Sequence, residues 1–391
     1  MAGQNKTYSC PSCGGDLRWS PSAHKLICPF CGSAFAAEAF SQQDQQTAAD
    51  LDQQNYPKGE EASAMGYTSA QDATDDTAID PADLRTYSCS SCGAQIVTDK
   101  TTVATACAFC GSPVVLTEQL DTTFRPKWII PFKIDRAQME SIYWDYVKSR
   151  PFTPGAFRAK SQIEKIKSIY LPFWLYNMDM KGSLTAKGER TMTSADSHFI
   201  YTTHQVYDIQ RAGTLTLAKV PVDASSRSPD DAMDSIEPYD LSELQPFSMG
   251  YLAGYLAERY DQDEKTCYER AARRAGQTMA NILNQSVAGF ESVQITSRQV
   301  NEVRSSGLLG SAGAEQTALA SGVRAEYALL PVYLLFTKYK GQDYLFAVNG
   351  QTGKAVGDVP SSAGRQLSFF LAVFLIMTAV LFLVARFFLF A

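Results

Sequence analysis

Eight of the nine cysteines fall into two sets whose spacing is suited to binding metal ions. Each set reads CxxC, fourteen residues and CxxC again, and every cysteine of the second set follows its counterpart by 79 positions. Two CxxC turns joined by a short hairpin bring four thiolates into the tetrahedral arrangement that Zn²⁺ prefers. We therefore predict two structural zinc ions. The predicted ligands are Cys10, Cys13, Cys28 and Cys31 for the first ion and Cys89, Cys92, Cys107 and Cys110 for the second.

Three other roles for these cysteines compete with zinc. The same geometry tolerates an iron ion, a single CxxC can be a redox pair, and cysteines in an oxidising compartment form disulfides. Two paired copies argue against a redox pair. No signal-peptide pattern is present at the start, so we expect a reducing compartment. A closed Cys₄ site has no open position for water, and we expect both ions to stabilise the fold without catalysing a reaction.

The rest of the chain divides into segments of different composition. Residues 41–84 are rich in Gln, Asp, Ala, Ser and Thr and predict a disordered acidic linker. On either side of it we place zinc ribbon 1, residues 1–40, and zinc ribbon 2, residues 85–120. Residues 121–360 alternate strand-like and helix-like patterns and predict a mixed α+β domain with antiparallel strands and a helical insert.

Local signals place several elements within the α+β domain. Asp135 and Gln138 have the spacing of a capping box, which predicts that a helix begins there. Helical segments are predicted over Met249–Tyr260 and Asp263–Val287. Four strands separated by turns are predicted as Ile169–Met178, Gly182–Thr191, Phe199–Ile209 and Thr214–Val220.

A faint internal echo links two apolar segments. Leu171–Leu175 reads LPFWL, and Leu330–Leu334, 159 positions later, reads LPVYL. Two related β units flanking a helical insert are one interpretation, and a coincidence of common strand residues is the other. A proline at the start of such a strand favours a strand entrance or a sheet edge.

The last part of the chain has the character of a membrane span. Leu367–Ala385 contains no charged residue, and 19 residues at about 1.5 Å each nearly cover a hydrocarbon core of about 30 Å. We predict a single transmembrane helix over residues 366–386. Without an N-terminal signal the chain is expected to be tail-anchored in the cell membrane, with its bulk in the cytoplasm. Arg365 on that side agrees with the positive-inside bias.

No group of residues predicts a catalytic or cofactor-binding site. His198 and His204 would be about 20 Å apart along an extended strand, too far to share a metal ion. Cys267 lies on the inner stripe of a predicted helix, together with Ala271, Ala275, Thr278 and Ile282, and is expected to be buried and inert. A dense acidic group either binds a divalent cation or, as we favour, forms a solvated loop. Its members are Asp230, Asp231, Asp234 and Glu237.

The segment Gly350–Lys354, with the sequence GQTGK, is similar to a phosphate-binding loop but lacks its spacing. A P-loop needs its first glycine five positions before the second and a Ser or Thr after the Lys, whereas here the glycines are three positions apart and Ala355 follows Lys354. The segment therefore predicts a hairpin turn.

Several motifs, taken with the ribbons, resemble a family of uncharacterised bacterial membrane proteins described as transcription factor IIB-type zinc-ribbon-containing proteins. The resemblance covers nearly the whole chain and implies the fold, zinc and membrane anchoring, but no catalytic residues. Some members are labelled replication-restart helicases, a label that this chain does not support because it has no Walker A loop. The motifs are Val97-Thr98-Asp99, Tyr170–Leu175, Arg211-Ala212-Gly213, Ser235-Ile236-Glu237-Pro238, Tyr251–Tyr255 and Asn349–Lys354.

Three functional hypotheses follow. The favoured one is a non-enzymatic, membrane-tethered adaptor whose ribbons bind a cytoplasmic protein partner, with ribbon 1 moving freely on the linker. The second is nucleic-acid binding, for which residues 1–40 offer little positive charge. They hold three basic residues, Lys6, Arg18 and Lys25, against the acidic Asp16 and Glu38. The third is an enzyme of unknown class in the α+β domain.

Overall fold

The computed structural model describes residues 5–6, 8–40, 84–89, 95–107, 112–116, 125–303 and 324–390. Within these residues the chain has the predicted mixed α+β architecture. The helices are α1 Arg136–Lys148, α2 Lys160–Glu164, α3 Asp230–Ser235, α4 Glu264–Gln285 and α5 Ala363–Phe390. The strands are β1 Asn5–Lys6, β2 Arg18–Ser20, β3 Lys25–Ile27, β4 Ala34–Phe35, β5 Leu84–Ser88, β6 Gln95–Asp99, β7 Thr102–Ala106, β8 Pro113–Leu116, β9 Trp128–Ile129, β10 Lys167–Ala195, β11 Ile200–Asp223, β12 Gln245–Pro246, β13 Leu256–Glu258, β14 Ser292–Glu302, β15 Arg324–Tyr339, β16 Gln342–Asn349 and β17 Ala355–Gly357.

Strand β10 is the centre of a mixed sheet that holds most of the described strands. The sheet runs in the order β1-β8-β7-β13-β10-β15-β16-β17, and β11 and β14 also pair with β10. Strand β9 joins β15 to β12. Strands β7 and β8 of ribbon 2 therefore belong to the same hydrogen-bonded sheet as the α+β domain, which the sequence did not predict, whereas β5 and β6 pair with each other in a separate two-stranded sheet.

The four strands predicted between Ile169 and Val220 are in fact two long strands. Positions expected to be turns continue the pairing of β10 with β11, as in Lys181 opposite Thr214 and Gly182 opposite Gly213. The one turn between them is held by the Asp196 carboxylate, which accepts hydrogen bonds from the amides of His198 and Phe199 at 2.8 and 2.7 Å. Beyond Met180 these strands, with β14, project as a sheet that we call the arm (residues 180–215 and 292–302).

Helix α4 covers one face of the arm, as the predicted stripe of small residues requires. Cys267, Ala271 and Ala275 are buried on this helix, with Cys267 beside Asp223 just outside the arm, and burial raises the pKa of the Cys267 thiol to about 12, consistent with an inert thiol. The predicted continuation of the stripe through Thr278 and Ile282 is wrong. Ile282 is 44% exposed because the helix turns Met279 and Leu283 toward the sheet instead.

The two similar segments Leu171–Leu175 and Leu330–Leu334 are neighbours in the sheet. Leu171 of β10 is paired directly with Leu330 of β15, so the two related segments lie antiparallel to each other. Each then continues into an antiparallel hairpin, β10 with β11 and β15 with β16. The two hairpins are thus related by a local two-fold axis at this pair.

The predicted helix over Met249–Tyr260 does not form. A 3₁₀ turn spans Met249–Leu252, and after Gly254, whose φ is +92°, the chain extends as β13. Pairing of β13 with β7 and β10 replaces the helical hydrogen bonds. By contrast, the capping box at Asp135 and Gln138 forms as predicted and starts α1.

Helix α5 is long and apolar enough to span a membrane. In its 22-residue stretch Ala363–Val384 the side chains are exposed apart from Arg365 and Gln366, which are half-buried. The first turn is nevertheless held by the body, because the Arg365 Nη1 donates to the Thr153 carbonyl at 2.9 Å and the Phe369 ring lies 5.4 Å from that of Phe152.

Candidate metal centre

The four cysteines of the first set converge as predicted. The Sγ atoms of Cys10, Cys13, Cys28 and Cys31 all lie within 4.8 Å of one another. The Cys10 and Cys31 sulfurs are 3.6 Å apart, and those of Cys13 and Cys28 are 3.4 Å apart. A tetrahedral ion with metal–sulfur bonds of about 2.3 Å separates its ligands by about 3.8 Å. The cluster therefore fits one tetrahedral metal ion.

Each CxxC turn is closed by the same pair of backbone hydrogen bonds. The Cys10 amide donates to the Gly15 carbonyl at 2.7 Å, and the Gly14 amide donates back to the Cys10 carbonyl at 2.8 Å. At the second turn, the Cys28 amide donates to the Ser33 carbonyl and the Gly32 amide to the Cys28 carbonyl, both at 2.9 Å. These bonds give the two turns the same shape and direct both thiols of each turn to one point.

Glycine is required at the end of each turn. Gly14 has a φ of +75° and Gly32 a φ of +73°, in the left-handed region that other residues adopt at a cost. An ideal Cβ at either position would meet no neighbouring atom, so the requirement is purely conformational. The glycine after the second cysteine thus lets the backbone curl around the metal position.

Hydrogen bonds shift the pKa values of two thiols in opposite directions, lowering that of Cys31 while that of Cys13 is raised to about 12. The Ser33 hydroxyl lies 3.2 Å from the Cys31 sulfur. Hydrogen bonds from the Ser33 side chain and backbone, with a further one from Cys13, lower the pKa of Cys31 from 9.0 to about 6. A thiolate is the form that a metal ion binds.

The cluster is built on the core of ribbon 1. Cys10 and Cys28 are buried beside Leu17 and Leu26, whereas Cys13 and Cys31 are exposed. The β2–β3 hairpin supplies the apolar side, with Trp19 paired opposite Leu26. The ion would therefore sit at the boundary between the ribbon core and solvent, closed by four side chains.

Half of the second set can be compared with the first. Cys92 and Cys110 lie outside the described residues. Cys89 and Cys107 are buried, with Tyr87 and Ile96, in a separate apolar cluster. The Cys107 amide donates to the Ser112 carbonyl at 2.9 Å, which is the bond that Cys28 makes to Ser33. This backbone hydrogen bond of ribbon 2 thus repeats one of ribbon 1, whereas the strand pairing differs, because β2, β3 and β4 form one sheet while β6 pairs with β5 and β7 with β8.

Ribbon 1 packs against the α+β domain. The indole of Trp19 donates to the Phe132 carbonyl at 3.3 Å and lies 4.8 Å from the ring of Tyr251. The Trp19 backbone amide donates to the Ala253 carbonyl at 2.9 Å. Trp19 therefore anchors the ribbon to the domain. The expectation that ribbon 1 moves freely is therefore wrong.

The two ribbons hold the same segment of the domain between them. Ribbon 1 contacts residues 250–254, where the Arg18 side chain packs against Gly254. Ribbon 2 contacts the next residues, since β7 pairs with β13 and the Arg259 amide donates to the Thr101 carbonyl at 2.9 Å. Strand β13 in turn pairs with β10. Ribbon 1 is therefore hydrogen-bonded to Ala253, and the chain that follows pairs as β13 with the central strand.

The acidic group at residues 230–237 is engaged by arginines. Asp234 accepts hydrogen bonds from Arg270 at 2.6 Å and from Arg274 at 3.2 Å, and Glu237 accepts one from Arg274 at 2.6 Å. Asp230 also pairs with Arg270. These pairs attach α3 and the residues after it to α4, so the carboxylates of Asp230, Asp234 and Glu237 are engaged by arginines and are not presented to a cation, whereas Asp231 is exposed.

The histidines of the arm stay apart, as predicted. The His198 Nδ1 contacts Ser197 at the turn, and the His204 Nδ1 pairs with Glu189 across the two strands. Both side chains are exposed. Neither geometry gathers ligands for a shared metal ion.

The segment GQTGK forms the predicted hairpin turn between β16 and β17, and its residues join it to the rest of the domain. The buried Asn349 side chain donates to the Ile236 carbonyl at 3.1 Å and accepts from the amides of Gln351 and Thr352. A Cβ at Gly350 would lie 2.6 Å from the Phe132 ring. Two motifs of the family resemblance, those around Ile236 and Asn349, therefore contact each other.

Comparison with known proteins identifies one relative without a described role. The chain is 28% identical over 256 residues to YdjG, an uncharacterised protein of Bacillus subtilis (strain 168), and the match covers 66% of this chain and 70% of that protein. No protein-family model and no solved structure matches the chain. Since YdjG is itself uncharacterised, the similarity transfers no activity to the residues described above.

Proposed function

We propose that this protein is a non-enzymatic adaptor of the cell membrane, anchored by α5 with its bulk in the cytoplasm, and that the arm presents its protein-binding surface. In this proposal two Zn²⁺ ions, one per cysteine set, are structural. The resemblance to transcription factor IIB-type zinc-ribbon membrane proteins agrees with both the metal and the anchor.

The observation that carries the proposal is the apolar tip of the arm, which we define as Met192, Phe199, Ile200 and Tyr201. These side chains are 51–75% exposed although each is large and apolar. Single exposed apolar residues are ordinary on protein surfaces, but several gathered at the end of a projecting hairpin mark an interaction site. Further down the arm, the face away from α4 carries polar residues such as Lys187 and Asp208.

The tip lies at the opposite end of the sheet from α5. Lys167, at the start of β10, pairs with Leu334 of β15. The turn between β15 and β16 therefore lies beyond the N-terminal end of β10. Phe157 contacts Tyr339 beside this turn, and the adjoining Phe152 contacts α5. Strand β10 then runs 29 residues, about 90 Å when fully extended, to the tip. Insertion of α5 in a membrane would direct the tip toward soluble partners.

In this proposal the zinc ribbons stabilise the base of the arm. They hold residues 250–259 against β10, and zinc supplies folding free energy that ribbons of about 30 residues cannot obtain from apolar burial alone. Cys₄ coordination leaves no position for substrate. The ribbons thereby fix the orientation of the arm relative to the membrane.

Site-specific crosslinking tests the adaptor role. A photoreactive phenylalanine analogue replaces Ile200 at the tip in the full-length protein, in cells, and membranes are then isolated. We expect a crosslinked protein partner that disappears when Phe199→Ser and Tyr201→Ser remove the neighbouring apolar surface. The matched control places the analogue at Thr185, which lies on the polar outer face of the arm.

The outcomes separate the alternatives. Equal crosslinking from Ile200 and Thr185, or none from either, would contradict a protein-binding tip. Nucleic acid recovered with the protein, with a steep salt dependence, would support the competing hypothesis instead. Recovery of the full-length chain in the soluble fraction after carbonate washing would contradict the membrane anchor independently of the tip.

A further inference from the structure

We infer that the surface around the Arg150–Pro154 turn binds the anionic headgroups of the membrane that α5 enters. The inference rests on the proposed membrane span and adds a lipid-binding site on the body of the protein, distant from the arm. We call this surface the basic patch (Lys148, Arg150 and Arg158).

The Arg150–Pro154 turn is held next to the first helical turns of α5. The Thr153 amide and hydroxyl both donate to the Arg150 carbonyl, at 3.1 and 2.8 Å, which closes the turn. Ser362, next to the helix start, donates its amide to the Phe152 carbonyl at 2.8 Å, and Arg365 donates to the Thr153 carbonyl. The contact between the rings of Phe152 and Phe369 holds the turn at the level where the apolar stretch begins.

The basic patch is positively charged in an otherwise acidic protein. Residues 145–167 contain six basic and two acidic residues, whereas the whole chain has a net charge of −6. Lys148, Arg150 and Arg158 are all exposed. This excess of positive charge is complementary to a membrane leaflet that contains anionic lipids.

Contacts within the body hold the two arginines near the turn. The Arg150 guanidinium lies 3.6 Å from the centre of the Tyr146 ring and donates to the Tyr146 carbonyl at 3.3 Å. The Arg158 Nη2 donates to the Pro151 carbonyl at 3.4 Å. Both guanidinium groups therefore surround one short loop, and each retains further N–H donors that can reach lipid phosphates.

The patch becomes membrane-proximal only through folding. Arg365 and Thr153 are 212 positions apart in sequence, so no cluster of basic residues adjoins the apolar stretch along the chain. Basic residues at an anionic membrane surface each strengthen binding by about fivefold, and salt weakens the attraction. Arg150 and Arg158 together would therefore contribute more than about tenfold.

Hydrogen exchange in lipid nanodiscs tests the inference with the full-length protein. The chain is incorporated into nanodiscs of phosphatidylcholine alone or with about 30% phosphatidylglycerol. We expect the amides of residues 148–158 to exchange at least about threefold more slowly with the anionic lipid, and the difference to shrink in about 0.5 M NaCl. Amides of the arm tip should exchange equally in both.

Paired variants identify the residues responsible. Arg150→Gln with Arg158→Gln should abolish the lipid-dependent difference, whereas Lys187→Gln with Arg190→Gln, the same charge change on the arm, should preserve it. Incorporation is checked first by coelution with nanodiscs. A chain that fails to incorporate overturns the membrane span and this inference together. Incorporation with equal exchange at residues 148–158 in both lipids overturns the lipid-binding patch alone.

Discussion

Pro172 and Pro331 occupy equivalent positions in the two central strands. On the outer edge of β10, parallel pairing with β13 ends at Tyr170 and antiparallel pairing with β11 begins at Phe173. On β15, parallel pairing with β9 ends at Leu329 and antiparallel pairing with β16 begins at Val332. Each proline, which has no N–H to donate, therefore stands where its strand changes partner. The expectation that these prolines mark a strand entrance or a sheet edge is wrong, since both lie inside their strands and inside the sheet, at a break in the hydrogen-bond ladder.

The positions of these prolines lead to the first prediction. Replacing Pro172 with Ala creates a buried amide N–H at the break, and an unsatisfied buried donor costs about 1–3 kcal/mol. We expect the free energy of unfolding to fall by this amount for Pro172→Ala and for Pro331→Ala. Pro151→Ala, in an exposed loop, is the control and should change it by less than about 0.5 kcal/mol. Chemical denaturation measures all three, and equal effects at Pro172 and Pro151 would refute the argument.

The direct pair of Gly182 and Gly213 gives a second prediction. A Cβ at Gly182 would lie 2.9 Å from atoms of both Leu283 and Met279, whereas one at Gly213 would come no nearer than 4.0 Å to Met279. We expect Gly182→Ala to destabilise the arm by about 1–3 kcal/mol through overpacking. Gly213→Ala should be neutral or stabilising by up to about 1 kcal/mol, because it restricts the unfolded chain. Thermal unfolding of the two variants compares them, and the reverse order would contradict the packing of α4.

The third prediction concerns metal content. Wild-type protein is expected to contain two zinc ions, and Cys28→Ser or Cys107→Ser should each remove one, measured by elemental analysis of purified protein. Cys28→Ser should also lower the melting temperature of the whole chain, because the ribbon core continues into the domain core. The control is Cys267→Ala, which alters a buried thiol outside both sets and should leave two ions. A wild type with fewer than two ions and paired, oxidised cysteines would contradict the assignment.

Trp19 provides a test of ribbon docking. Trp19→Ala removes a side chain that is 6% exposed between ribbon 1 and the domain, and such truncations cost about 3–5 kcal/mol. We expect limited proteolysis to release ribbon 1 from this variant sooner than from the wild type. Phe30→Ala, at a position 77% exposed beside the metal ligands, is the matched control and should leave the cleavage rate unchanged. Similar rates for both variants would indicate that the ribbon is not held through Trp19.

The fifth prediction is a dependence of stability on pH. Asp223 is fully buried, and neither of its carboxylate oxygens makes a well-aligned hydrogen bond to the described residues. Burial raises the pKa of Asp223 from 3.8 to about 8, although nearby Arg270 opposes the shift. The native state therefore retains its proton above pH 4 while the unfolded chain releases it, so the free energy of unfolding falls between about pH 4 and pH 8.

Asp223→Asn should remove this dependence. The variant and wild type are expected to have similar stability near pH 4, and the variant should become more stable by a few kcal/mol as the pH approaches about 8. Denaturant midpoints measured across this pH range provide the comparison. Parallel pH profiles for the two proteins would show that Asp223 does not titrate in this way.

Local patterns predicted several parts of the structure because short-range chemistry determines them. The CxxC spacing predicted the convergence of Cys10 and Cys31, the capping box predicted the start of α1, and the apolar run predicted α5. In each case the signal lies within about thirty residues of the feature it specifies. The turn at Asn349 was also predicted, by its glycines.

Other parts depend on partners that are distant in sequence. Turn-forming residues near Gly182 suggested a break in β10, but pairing on both edges keeps that strand extended. The role of Trp19 depends on Tyr251, which lies more than two hundred positions away. The basic patch depends on the docking of α5 at Thr153. None of these relations leaves a periodic or local signal in the chain.

The pairing of Leu171 with Leu330 has a consequence for synthesis in the cell. A ribosome adding about 5–20 residues per second needs roughly 10–30 s to reach Leu330 after Leu171. During this interval the most apolar stretch of β10 lacks a neighbour on one side, while the hairpin partner β11 is already available on the other. The nascent polypeptide thus exposes an aggregation-prone edge, and slow translation of the intervening codons would lengthen this exposure, so we expect folding in the cell to depend on chaperones or on rapid translation of that segment.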